Sequence, residues 1–307
     1  MSLTSIRAVR RKLRYESWHL LHLYAYLGVG LALPHQLWTG QEFLSSPGRT
    51  LYWWSLWAAA AGAVLVWRLG LPLWRNLRHR LRVTSVVGES PDVVSVYLGG
   101  RAMDRLPVRA GQFVNLRFLD GPGSTRSNPF SLSAAPDGRS LRVTAKALGE
   151  GSARLAHLRP GTPVLLEGPY GRLSSRARTR RGVLLMGAGV GITPLRALAE
   201  GLEHGPGELT LLYRFTAEPL FASELEVLRA EQGLQVVPLP GPRPSPASVL
   251  GPAAGADELA ALRFWVPDVA DRDVFVCGPA AWTDGVERLL LAAGVPRAHV
   301  HTESFGW

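Results

Sequence analysis

The sequence predicts three parts in series: an α-helical transmembrane hairpin over residues 1–82, an antiparallel β-barrel over 83–173, and an α/β domain with a parallel sheet over 182–307. Three observations predict them. Two apolar runs, about 18–38 and 51–74, lie between arginine-rich flanks. Six short β-branched segments follow, parted by Pro and Gly clusters, and after a glycine-rich loop the chain alternates strand-like and helix-like runs.

The chain opens with Arg7, Arg10, Arg11, Lys12 and Arg14, and the first apolar run starts at Trp18. A cleaved signal peptide shares that pattern, but here no small-x-small site follows, three histidines stand in the run, and a second apolar run comes after it. Each run holds about 20 residues, enough at ~1.5 Å per residue to cross a ~30 Å hydrocarbon core. Between them, Thr39 to Thr50 carries only Glu42 and Arg49, whereas the second run is followed by Arg75, Arg78, Arg80 and Arg82. The positive-inside rule then puts both ends of a hairpin in the cytoplasm, with the rest of the chain on the cytoplasmic side of a cell (inner) membrane.

The formal charge of +10 fits the same picture, because the basic residues crowd the apolar runs and seven of the ten tryptophans precede residue 75. No nucleic-acid-binding motif accompanies the charge. A single cysteine, Cys277, excludes an intramolecular disulfide, a Cys-ligated iron–sulfur cluster and a cysteine-rich zinc site within one chain.

The six barrel strands are expected at Val83 to Val87, Val93 to Leu98, Gln112 to Phe118, Phe130 to Ala134, Leu141 to Ala147 and Pro163 to Glu167. Residues 174 to 181, rich in Ser and Arg, read as a solvated linker. Val183 to Met186 then enters Gly187-Ala188-Gly189-Val190-Gly191-Ile192-Thr193-Pro194 and a helix from Leu195 to Leu202, with Thr193 as N-cap and Pro194 as first helical residue. Further strands are expected at Leu209 to Tyr213, Gln235 to Leu239, Val274 to Cys277 and Val300 to Phe305, helices near Glu224 to Glu231 and Ala281 to Ala293, and an irregular excursion over 240–257.

The glycine loop suits a phosphate group: Gly187, Gly189 and Gly191 permit close backbone approach, and the following helix start offers amides and a positive dipole. Its GxGxG-Thr-Pro form departs from the GxGxxG fingerprint. Arg214, at the end of the next strand, favours a 2′-phosphate and hence NADPH over NADH.

Residues 83–307 resemble the ferredoxin–NADP reductase-like superfamily, and with the two apolar runs in front the chain resembles the C-terminal portion of the ferric reductase and NADPH oxidase family. The resemblance rests on an ordered set: Asn128-Pro-Phe-Ser-Leu-Ser, Gly149-Glu-Gly-Ser, Glu167-Gly-Pro-Tyr-Gly, the glycine loop, Cys277-Gly-Pro and Glu303-Ser-Phe. It implies a FAD-binding barrel and an NAD(P)-binding domain. Pro129, Phe130, Ser131 and Leu132 would line the flavin, with Ser131 near its N5, and Gly149, Gly151 and Ser152 would face the FAD pyrophosphate. Relatives often carry Arg or His where Asn128 stands, so Arg126 is the candidate to contact the flavin phosphate. Gly187, Gly189, Gly191, Thr193, Pro194, Arg214, Cys277, Gly278 and Pro279 would hold the nucleotide. Cys277 and Glu303 would flank the nicotinamide, Ser131, Cys277 and Glu303 would organise hydride transfer, and Phe305 or Trp307 would cover the flavin.

His22 and His35 stand thirteen residues apart in the first run, about 20 Å along a helix and about 140° around it. Pro34 can alter that angle. Intramembrane histidines mark function, and the resemblance makes these two candidate axial ligands for b-type haem, with the opposing ligands supplied by a second membrane subunit or self-association. His19, beside Trp18, reads as an interfacial residue.

The expected activity is a membrane-anchored NAD(P)H-dependent FAD oxidoreductase sending electrons to a membrane acceptor. The alternatives are a reductase for a soluble iron–sulfur or haem protein, and a non-catalytic assembly subunit packing through its Ala58 to Ala63 face.

Overall fold

A computed structural model describes residues 15–41, 45–121, 126–245 and 248–305. The chain divides after Leu73 into two compact units.

In the first unit, α1 (Tyr15–Thr39) carries Pro34 within it, and α2 (Pro47–Val64) starts from the N-cap Ser46, whose side chain accepts from the Arg49 backbone N–H. Trp38 and Trp54 bring α1 and α2 together, with ring centroids 5.6 Å apart. A π-helical turn, Leu65–Gly70, follows α2 and leads into α3 (Leu71–His79). Two spans are expected from the sequence. Among the described residues one helix, the 33-residue Pro47–His79, is long and apolar enough to cross a membrane. Of the first apolar run, α1 has described side chains only over 24–39.

The second unit begins with the last turns of α3. Asn76 there imitates a neighbouring strand, donating to the Leu166 carbonyl (3.0 Å) and accepting from the Leu166 N–H (2.8 Å), while Arg75 donates to the Gly168 carbonyl.

Two antiparallel three-stranded sheets follow. One has the order β1 (Arg82–Ser90), β2 (Val93–Gly99), β5 (Ser140–Lys146); the other has β4 (Asn128–Ser131), β3 (Phe113–Phe118), β6 (Val164–Tyr170). Single bridges, Arg82 to Pro163 and Leu132 to Val143, join the sheets at both edges and close the barrel. Strand alternation directs Val114, Leu116 and Phe118 inward, where they meet Phe130, Leu132, Val143 and Leu166. Strand β4 starts two residues earlier than expected and stops at Ser131, because Ser133 turns to donate its N–H to the Arg142 carbonyl.

The third part has a five-stranded parallel sheet in the order β11 (Val300–Phe305), β10 (Asp273–Pro279), β7 (Val183–Ala188), β8 (Leu209–Phe215), β9 (Gln235–Pro240). Strand β7 is wholly buried, as a central parallel strand covered on both faces should be. On one face lie Ile192, Leu195 and Leu198 of α5 (Ile192–Gly201) and Leu225 and Leu228 of α6 (Ala222–Gln232). On the other lie Leu262 of α7 (Glu258–Trp265) and Trp282, Val286 and Leu290 of α8 (Ala280–Ala292). The chain runs outward from β7 through β8 to β9, then returns to β10 on β7's other side. The carboxyl ends of β7 and β10 therefore frame a topological switch point, where such sheets bind ligands.

Two local expectations need correction. Helix α5 begins at Ile192 with Gly191 as N-cap, so Thr193 lies inside the first turn, where its hydroxyl donates to the Val190 carbonyl (2.9 Å). Pro194 is tolerated there because first-turn N–H groups have no intrahelical partner. Residues 174–181 are also more than a solvated linker. Ser174 is buried, and the wholly buried Asp273 carboxylate accepts the backbone N–H groups of Thr179 (2.5 Å) and Arg180 (2.6 Å).

Candidate functional site

A cavity of about 240 Å³ opens between the barrel and the start of α5. Asn128, Pro129, Phe130 and Ser131 of β4 form one wall, Thr144, Ala145 and Lys146 of β5 another, and Leu148, Gly149, Gly151 and Ser152 the rim; Val190 and Thr193 close it. The rim turn is held by the Ser152 hydroxyl, which accepts from the N–H groups of Leu148 (3.0 Å) and Gly149 (3.2 Å). A Cβ on Gly151 would lie 3.3 Å from the Asn128 amide, so Asn128 reaches the rim directly. Arg126 is exposed and lines neither this cavity nor the next. Leu132, expected beside the flavin, packs instead into the barrel core, on the same strand face as Phe130.

A second cavity, about 500 Å³, lies over the switch point. Ala188 to Gly191, Arg214, Phe215, Thr216, Pro242, Arg243, Pro279, Ala281 and Trp282 line it, and Lys146, Leu148 and Val190 belong to both cavities. Gly191 is required by contact: a Cβ there would come 2.2 Å from the Cys277 carbonyl oxygen. Gly189 has φ +56° and open space where a Cβ would point.

Arg214 is threaded between Gly241 and Gly251 of the Pro- and Gly-rich excursion. Its Nη2 donates to the Gly241 carbonyl (3.1 Å), and a Cβ on Gly251 would lie 2.1 Å from Nη1. Burial, and then the Arg243 cation, push the Arg214 guanidinium below its ordinary value, and its buried Nη1 has no hydrogen-bond partner. Two cations and an unsatisfied donor beside the glycine loop are what a polyphosphate nucleotide would complete.

The ferredoxin–NAD(+) reductase component of an alkene monooxygenase system from Xanthobacter autotrophicus is 32% identical over 235 residues, covering 74% of this chain and 70% of that protein. The chain belongs to the ferredoxin–NADP reductase-like family.

A glycine betaine monooxygenase reductase subunit from Chromohalobacter salexigens is 28% identical over 250 residues, and a flavohemoprotein from Vibrio cholerae 33% identical over 221. The chain spans 66% and 53% of their respective lengths. The FAD/NAD-binding domain of a Vibrio cholerae nitric oxide dioxygenase matches 75% of the chain over its whole length, with a TM-score of 0.57 and 28% identity. No family model matches the chain. This reductase is thus an NAD(P)H-dependent FAD oxidoreductase, with FAD and NAD(P)H as its cofactors. The ferric-reductase-like membrane part implied by the sequence resemblance gains no support from these relatives.

The remaining expected residues of the reductase fall in different places. Cys277 is wholly buried on β10, paired in register with Gly187 of β7 on one side and Glu303 of β11 on the other. Burial pushes its thiol well up, and the Glu303 charge adds to this. Burial likewise raises the Glu303 carboxyl to about 7, against the lowering effect of the Arg172 and Leu173 backbone N–H groups. Its Oε1 would lie 2.6 Å from a Cβ on Gly171, within the Glu167-Gly-Pro-Tyr-Gly turn that ends β6. Neither Cys277 nor Glu303 lines either of these two cavities, whereas Pro279 lines the second. A Cβ on Gly278 would strike the Trp282 ring at 2.6 Å.

Phe305 ends β11 opposite Pro279, but its side chain and all of Trp307 lie outside the described residues. The side chain of His22 lies outside them too, and His35 is exposed on α1. Among the described residues, no group of His, Cys, Asp and Glu suits a metal ion.

Thr144, Lys146, Thr216 and Arg243 line the cavities without being among the residues expected from the sequence. Lys146 was open to discovery as the one lysine of the barrel strands, at the end of β5; Arg243 was hidden in a segment read only as irregular.

Proposed function

We propose that this reductase takes electrons preferentially from NADPH and passes them to a separate iron–sulfur or haem protein of an oxygenase system. The observation that carries the reading is the wall of Lys146, Leu148 and Val190 shared by the two cavities, which sets the two cavities side by side. In this reading Asn128, Ser131, Thr144 and the Gly149 to Ser152 rim hold FAD. The glycine loop and Pro279 receive the nucleotide, Thr193 closes the flavin side, and Arg214 with Arg243 selects the 2′-phosphate. Cys277 and Glu303 shape the nicotinamide end. Bound FAD would supply the conversion between a two-electron donor and one-electron acceptors. The relatives' names, reductase components of monooxygenase systems among them, support the soluble partner.

The test is to load the purified full chain with FAD and record flavin bleaching by NADPH and by NADH, then reduction of an added [2Fe–2S] ferredoxin. Faster bleaching by NADPH with onward ferredoxin reduction is expected. Failure to bind FAD, or to bleach with either nucleotide, overturns the assignment.

A second reading rests on the apolar helix Pro47–His79. It anchors the reductase in the cell membrane, with the catalytic part cytoplasmic, and lets electrons enter a membrane acceptor, including b-type haem held by His22 and His35 with a second subunit. Release of the chain from membranes by alkaline carbonate, or a purified membrane form without a Soret band that His22→Ala or His35→Ala removes, eliminates that route.

A further inference from the structure

The run that begins at Asn128 in the first cavity ends at Ser133, and there two arginines from different parts of the fold converge. Arg142 of β5 donates from Nη2 to the Ser133 carbonyl (2.6 Å) and from Nε to its hydroxyl (3.1 Å). Arg196 of α5 donates from Nη1 to the same carbonyl (3.2 Å). Glu224, in the first turn of α6, lies between the guanidinium groups. It takes a two-pronged contact from Arg142 (2.7 and 2.9 Å) and pairs with Arg196 Nε (2.7 Å). Glu200 pairs with Arg196 (2.5 Å) and also accepts the Ala135 N–H, so two carboxylates neutralise two guanidinium groups. Both arginines are over nine-tenths buried, and the Phe221 ring lies 4.8 Å from the Arg142 guanidinium carbon.

Such a cluster is a poor way to gain stability. Burying ions is costly before pairing, and an apolar replacement often does as well; in some proteins a buried polar cluster instead fixes one arrangement of the parts that meet in it. Its place in the fold shows which arrangement that would be. Arg142 and Ser133 belong to the barrel, and Ser133 follows directly on the β4 wall of the first cavity. Arg196 belongs to α5, whose first residues continue the glycine loop of the second cavity. A shift of α5 against the barrel would separate Arg196 from Ser133, and a shift of α6 would withdraw Glu224 from Arg142.

We infer that the Arg142–Glu224–Arg196 cluster is a positioning device that sets the register of the flavin seat against the nucleotide loop, acting through Ser133 and α5 without touching either cofactor. The inference rests on the assignment of the two cavities as FAD and nucleotide sites.

Glu224→Gln keeps the shape and removes the charge, so it is the primary test. Three measurements are made on the full chain: FAD affinity, affinity of the apoprotein for 2′,5′-ADP, and single-turnover flavin reduction by NADPH. The two affinities are expected to stay within about 2-fold while the reduction rate falls by up to about 100-fold, as ångström-scale misplacement of reactants can produce. Calorimetry of the apoprotein adds a readout independent of turnover: the barrel and the parallel-sheet domain unfold together in the parent and separately in the variant. If Glu224→Gln does not fold, Glu224→Asp, which keeps the charge and shortens the reach, is read by the same measurements. An unchanged reduction rate with one joint transition overturns the inference, as does a rate loss matched by equal losses in FAD and 2′,5′-ADP affinity. A parent protein that binds FAD but is reduced by neither nucleotide overturns the cavity assignment instead, and the calorimetric comparison still decides whether the cluster couples the domains.

Discussion

Cys277 and Glu303 are register partners on adjacent parallel strands, and burial holds the Glu303 carboxyl at about 7. The fold therefore favours the protonated acid. Below the ordinary value of 4.5 both folded and unfolded chains carry the proton, and Glu303 has no effect on stability. From there up to about 7 the folded chain binds more proton than the unfolded one, so stability falls as pH rises, and the full penalty is present above that range.

Glu303→Gln is accordingly expected to be more stable than the parent at pH 8, by about 1 to 3 kcal/mol, and equal to it near pH 4. Urea unfolding at the two pH values checks this. A gain of the same size at both would show that ionisation of Glu303 is not the cause.

The nucleotide preference should follow Arg214. Arg214→Gln is expected to lower kcat/KM for NADPH by about 10- to 100-fold, the worth of a charge-assisted hydrogen bond, and to leave NADH nearly unchanged. Gly251→Ala should weaken NADPH in the same direction, since its Cβ meets Arg214 Nη1 and its φ of +80° strains any side chain. Steady-state kinetics with both nucleotides distinguishes this from a general loss of activity.

At the glycine loop, Gly191→Ala drives a methyl group into the Cys277 carbonyl, which is backbone and cannot swing aside. A loss of roughly 2 to 4 kcal/mol in folding stability is expected, together with weaker binding of 2′,5′-ADP. Gly189→Ala meets no atom but is strained by its positive φ, and should cost about 1 kcal/mol. The ranking of the two in thermal unfolding is the check.

Asp273 predicts acid sensitivity. Burial raises its carboxyl, but the N–H of Thr179, the ring of His299 (2.8 Å) and the N–H of Arg180 outweigh burial and hold it below 3.8. Its contribution is fully present above that value and is lost as pH falls beneath it. Asp273→Asn should lower the melting temperature at pH 7 and flatten the decline of stability in acid, and limited proteolysis should then cut within 174–181, the segment Asp273 holds.

The parts legible in the sequence are those governed by neighbours along the chain. Alternating β-branched residues make strands wherever one face can be buried, so the barrel strands and the run of β7 into the glycine loop were readable, as was the need for glycine at 189 and 191. Boundaries set by distant contacts were not: α5 starts two residues before Pro194 because the loop closes over Cys277, more than eighty residues away, and the linker is held by Asp273 from another strand. The site shows the same division. Asn128 to Ser131 and Gly149 to Ser152 could be named from their order in the chain, but only the fold brings Lys146 and Val190 between two cavities, sets Arg243 beside Arg214, and joins Arg142 to Glu224 across 82 positions. Local sequence sets which φ and ψ angles and which buried faces a segment can accept; which charges meet is decided when the sheets close and water is excluded between them.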